Sequence, residues 1–83
     1  MSKAISEQEI ALYDAIGRAI ANLHAALAKV DAAWVTVTAE RPNPSMVAFA
    51  ALDEADQILG VAREGLARAR TALTAYTQER TEQ

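Results

Sequence analysis

The 83-residue chain contains no cysteine, two prolines, three glycines, one histidine and only 5% aromatic residues. Without cysteine it has neither a disulfide framework nor a thiolate zinc site. With His24 as its one imidazole, a metal centre would have to rest on carboxylates. The tightest acidic group, Asp53, Glu54 and Asp56, falls early in an expected helix, where the helix dipole already favours negative charge. No metal and no cofactor are therefore expected. Basic residues are also too few: 8 Lys and Arg stand against 11 Asp and Glu, for a net charge of −3. Counterion release would supply little affinity for nucleic acid, and no Lys/Arg-rich face accompanies the apolar one to hold a membrane surface. Apolar runs stay far short of the roughly 20 residues a membrane span requires, because Asp14, Arg18, Lys29 and Asp31 interrupt them. The opening MSKAISEQEI has no apolar segment of the kind a signal peptide needs, so a cytoplasmic location is expected.

Catalytic patterns are lacking too. The serines and threonines have no companion base, the glycines are scattered rather than gathered into a phosphate-binding loop, and nothing promises a polar-lined pocket. No catalytic residue, no enzymatic activity and no small-molecule substrate are expected.

What is present is alanine, 20 residues of it, the strongest helix former. Ser6 and Glu9 have the S-x-x-E spacing of a capping box, and Ile5 and Ile10 the spacing of a hydrophobic staple, so a first helix is predicted from about residue 6. Pro42 and Pro44 end it at about residue 39, since residues preceding proline are driven out of helical geometry. The β-branched run Val35-Thr36-Val37-Thr38 has no strand-like partner elsewhere and reads as the last turn of this helix. Asn43 as cap and Pro44 in the first turn then open a second helix, predicted from about 44 to 79 after a loop at 40–43.

Both helices carry heptads. Tyr13, Ile16, Ile20, Leu23, Leu27, Val30, Trp34 and Val37 recur at alternating spacings of three and four, with Tyr13, Ile20, Leu27 and Trp34 assigned to the a positions of the seam. In the second helix Leu52, Leu59, Leu66 and Leu73 recur every seventh residue, with Ala48, Ala55, Ala62 and Ala69 between them. Folded at the proline turn, these seams predict an all-α antiparallel helical hairpin, coiled-coil-like, with Trp34 in the core. Beside the seam lies a flank of small and apolar residues: Leu12, Ala19, Ala26 and Ala33 from the first helix, and Ala51, Ile58, Gly65 and Ala72 from the second. A two-helix hairpin buries little surface by itself. This dry flank is thus the expected homodimer interface, giving a four-helix bundle. The other flank is wet and charged. Arg63 and Arg70 on this flank, and separately Trp34 and Phe49 at the loop end, are the candidates for binding a second, unidentified protein.

The run Arg41-Pro42-Asn43-Pro44, continued by Ser45-Met46-Val47-Ala48-Phe49-Ala50-Ala51-Leu52, resembles the central turn of type III secretion needle subunits over about a dozen residues. Those are helical hairpins that polymerise into a hollow filament. The carboxyl end departs from their apolar pattern, because Tyr76-Thr77-Gln78-Glu79-Arg80-Thr81-Glu82-Gln83 is polar. The composition suggests a bacterial or phage source. The leading functional expectation is a non-enzymatic homodimer that binds another protein as adaptor, chaperone or inhibitor. The alternative is a structural subunit of a helical filament.

Overall fold

The computed structural model describes residues 6–82. They form two helices, α1 (Glu7–Ala39) and α2 (Met46–Glu82), packed along one another as a hairpin of 65 × 19 × 14 Å. The hydroxyl of Ser6 caps α1 by accepting the Glu9 N–H at 3.1 Å. The reciprocal half of the capping box is replaced, since the Glu9 carboxylate pairs with Arg80 at the far end of α2. Ile5, half of the expected staple, lies outside the described residues, and Ile10 is exposed. The β-branched end of α1 stays helical. Thr36 and Thr38 donate their hydroxyls to the carbonyls of Ala32 and Val35, at 3.3 and 3.0 Å, which occupies side chains that would otherwise compete with the helix.

The turn is two residues longer than its prolines suggest. Ser45, rather than Asn43, caps α2. Its hydroxyl accepts the Ala48 N–H at 3.1 Å, and its own N–H donates to Glu40 Oε1 at 2.9 Å. Glu40 thus closes the loop from the C-cap of α1, which makes the residue after Pro44 the better cap. The Arg41–Pro42 peptide bond is cis. At the other end α2 continues to Glu82, past the expected 79.

Burial fixes how the helices face each other. On α2 the covered residues include Ala48, Leu52, Ala55, Leu59, Ala62, Leu66, Ala69 and Leu73, the predicted seam. On α1 they include Leu12, Ile16, Ala19, Leu23, Ala26, Val30, Ala33 and Val37. The seam of α1 is therefore turned one position from its predicted placement. Tyr13, Ile20, Leu27 and Trp34, expected inside, stand 58, 40, 41 and 55% exposed, while Ala26 is only 2% exposed.

Volume explains the rotation. Counted from the turn, where α1 ends at Ala39 and α2 begins at Met46, a level pairing of the helices sets Val37, Val30, Leu23 and Ile16 across from Ala48, Ala55, Ala62 and Ala69, in keeping with the groove that residues 15–29 and 58–68 line together. The intervening layers set Ala33, Ala26 and Ala19 across from Leu52, Leu59 and Leu66. Each of these layers joins one alanine to one larger side chain, which lets the helices approach closely over most of the arm, and only towards the open end does the same register set Leu12 across from Leu73. The predicted seam would have alternated large-on-large layers with Trp34 or Tyr13 against alanine. The buried core among the described residues is accordingly small: Ala26, Val37, Ala48, Ala55 and Leu59.

Candidate interaction surface

Turning α1 by one position gives the hairpin two unlike broad faces. On one face, α1 presents Tyr13, Ile20, Leu27 and Trp34 at seven-residue intervals, so they form a ridge along its edge. The matching heptad edge of α2 carries Phe49, Asp56, Arg63 and Arg70. Phe49 is 44% exposed, and Arg63 and Arg70 are exposed. The four residues singled out for partner binding, Trp34, Phe49, Arg63 and Arg70, therefore share one face with the ridge. Near the loop this face is acidic, with Asp31, Asp53 and Asp56 at flanking heptad positions; towards the open end it is basic.

The opposite face is a groove of about 580 Å³. Its floor consists of small side chains, among them Ala15, Ala19, Ala26, Ala62 and Gly65, with Ile58 and Val61 along one wall. Arg18, Lys29 and Arg68 stand around it. Glu64 lies 4.0 Å from Arg68, one turn away on α2, and both side chains are about three-quarters exposed, so the pair is weak.

The dry flank of the sequence is partly here. Ala19, Ala26, Ile58 and Gly65 come together in the groove, although Ala26 is almost fully covered by α2. Leu12 and Ala33 are half-buried in the hairpin seam, and Ala51 and Ala72 are exposed on α2. The ridge is what the heptad pattern of α1 alone does not show, since that pattern places Tyr13, Ile20, Leu27 and Trp34 in the seam. The signal for it was the strict Leu/Ala alternation of α2, which needs alanines opposite its leucines and finds them in Ala19, Ala26 and Ala33 rather than in Ile20, Leu27 and Trp34.

At the open end a polar cluster holds the arms together. The Ser6 hydroxyl lies 2.7 Å from the Tyr76 hydroxyl, Arg80 pairs with Glu9, and the Arg80 guanidinium sits 5.9 Å from the Tyr76 ring centroid. Among the described residues no group of three or more His, Cys, Asp or Glu is placed to hold a metal ion, and no helix is long and apolar enough to cross a membrane. Comparison with family models, with curated proteins and with solved structures finds no match to this chain.

Proposed function

We propose that the protein is a non-enzymatic helical module that associates with a second copy of itself, forming a four-helix bundle from two hairpins, and acts by binding a partner protein as adaptor, chaperone or inhibitor. One observation carries this reading: the large apolar residues Tyr13, Ile20, Leu27 and Trp34 lie on the surface at heptad spacing, while three of the five buried residues are alanine. A helix that turns its bulky heptad side chains outward is a helix with a further neighbour.

Area supports the same conclusion. The hairpin exposes 6508 Å², whereas a compact monomer of this mass exposes about 4,800 Å². The excess, about 1,700 Å², is about twice the 800 Å² that a standard protein–protein contact removes from each partner, so the surface is ample for association. A second reading, a subunit of an open-ended helical assembly, is favoured by the difference between the two faces, since a ridge on one side and a groove on the other suit head-to-tail contacts.

Sedimentation equilibrium across a wide concentration range, with helicity followed in parallel, tests both. A mass of twice 8.9 kDa that holds over the range supports the closed bundle, and a mass that climbs with concentration supports the open assembly. A fully helical monomer at every concentration rules out self-association.

A further inference from the structure

The groove and the ridge fit each other. We propose that the groove of one hairpin takes the loop-proximal ridge of a second copy, so that the contact is heterologous rather than two-fold symmetric. This inference rests on the second reading above, the open-ended assembly, and specifies which face meets which; a parent chain that stays a closed dimer at every concentration overturns it.

Three properties of the two faces correspond. The first is length. Along α1 the groove runs from Ala15 to Lys29, about 21 Å at 1.5 Å per residue, and the ridge from Ile20 to Trp34 spans the same number of residues and hence the same distance.

The second is volume. A floor of alanine and glycine leaves room above it, and Ile20, Leu27 and Trp34 are side chains without enough cover on their own hairpin. Ridge against ridge would crowd bulky residues together, and groove against groove would leave voids; only ridge against groove reproduces the large-on-small layering of the hairpin's own seam.

The third is charge. Arg18, Lys29 and Arg68 surround the groove, while Asp31, Asp53 and Asp56 flank the loop-proximal ridge. Groove against groove would bring these like charges together.

The two faces lie on opposite edges of α1, so a copy that fills its neighbour's groove leaves its own groove open for the next. Two such contacts per copy, each removing about 800 Å², match the excess surface of the hairpin. Growth stops only where the rotation between neighbours closes a ring.

Complementation between two disabled chains tests the proposal. Gly65→Leu fills the groove and leaves the ridge intact; a Cβ added there meets nothing within 4 Å, and circular dichroism checks that the variant keeps its helicity. Leu27→Glu spoils the ridge and leaves the groove intact. Each variant alone is expected to sediment as a helical 8.9 kDa monomer, and their mixture as a 1:1 dimer that grows no further. Lys29→Glu, at an exposed position, is expected to weaken association of the otherwise unaltered chain several-fold, most at low salt. If Gly65→Leu alone associates like the parent, or if the mixture stays monomeric while the parent associates, the ridge-in-groove contact is wrong and self-association itself stands. A parent chain that remains monomeric throughout overturns both.

Discussion

The hydroxyls of Ser6 and Tyr76 meet at 2.7 Å although 70 residues separate them in the chain. Ser6 is also the N-cap of α1, accepting the Glu9 N–H, so one side chain both starts the first helix and ties it to the last turns of the second. Fraying of α1 at its start is thereby coupled to release of α2 at its end. Ser6→Ala should lose cap and cross-link together, about 1–2 kcal/mol. Tyr76→Phe keeps the ring under Arg80 and should cost less, about 0.5–1 kcal/mol. Urea denaturation of both single variants and the double variant measures the coupling; strictly additive effects would show that the cross-link contributes nothing.

Glu9 and Arg80 form a second tie at the same end, with the Arg80 side chain 46% and that of Glu9 14% exposed. Because Arg80 also lies against the Tyr76 ring, Arg80→Ala should cost about 1 kcal/mol, more than an isolated surface pair. The ion-pair part of that loss should shrink in 1 M salt, where the screening length falls to about 3 Å. Melting temperatures of parent and variant at low and high salt give the comparison.

Glu40 fastens the turn as an anion. The Ser45 backbone N–H, and secondarily the Ser45 hydroxyl, hold its carboxyl below the ordinary value of 4.5. A carboxyl with a lowered folded-state pKa contributes stability that is fully present above its unfolded pKa and is lost as the pH falls through the folded one. Glu40→Gln should therefore lower the melting temperature at neutral pH, and the gap to the parent should narrow on acidification below about pH 4.5. A gap that is constant with pH would exclude the charged contact.

Gly17 and Gly60 occupy exposed helix interiors, and a Cβ added at either meets nothing within 4 Å. Neither needs glycine's conformational freedom. Gly17→Ala and Gly60→Ala should each stabilise the hairpin by about 0.5–1 kcal/mol, read as a higher urea midpoint with unchanged slope.

The rotated seam makes a prediction with opposite outcomes at adjacent positions. Ala26 is 2% exposed and covered by α2, so Ala26→Leu should cost about 1–3 kcal/mol by pushing the helices apart. Leu27, next in sequence and 41% exposed, should tolerate Leu27→Ala with little change in the helicity of the isolated hairpin. Thermal melts at low concentration separate the two. If the costs were reversed, the seam would run where the heptads alone suggest.

The sequence by itself determined the helices, the turn, the cap at Ser6 and the seam of α2. Each of these rests on local chemistry: alanine propensity, the geometric demands of Pro42 and Pro44, a hydroxyl three residues from an N–H, and leucines recurring every seventh residue. The rotation of α1 could not be read that way. Tyr13, Ile20, Leu27 and Trp34 stand one position from Leu12, Ala19, Ala26 and Ala33, and both series complete a heptad with Ile16, Leu23, Val30 and Val37. Hydrophobicity favours the larger set, but fit to the other helix favours the smaller one. Leu52, Leu59 and Leu66 need alanines opposite them for the helices to approach closely, and that need exists only when the two helices are together. The exposed ridge and the small-floored groove both follow from that choice, so the candidate interaction surface came from tertiary packing rather than from any motif in the chain.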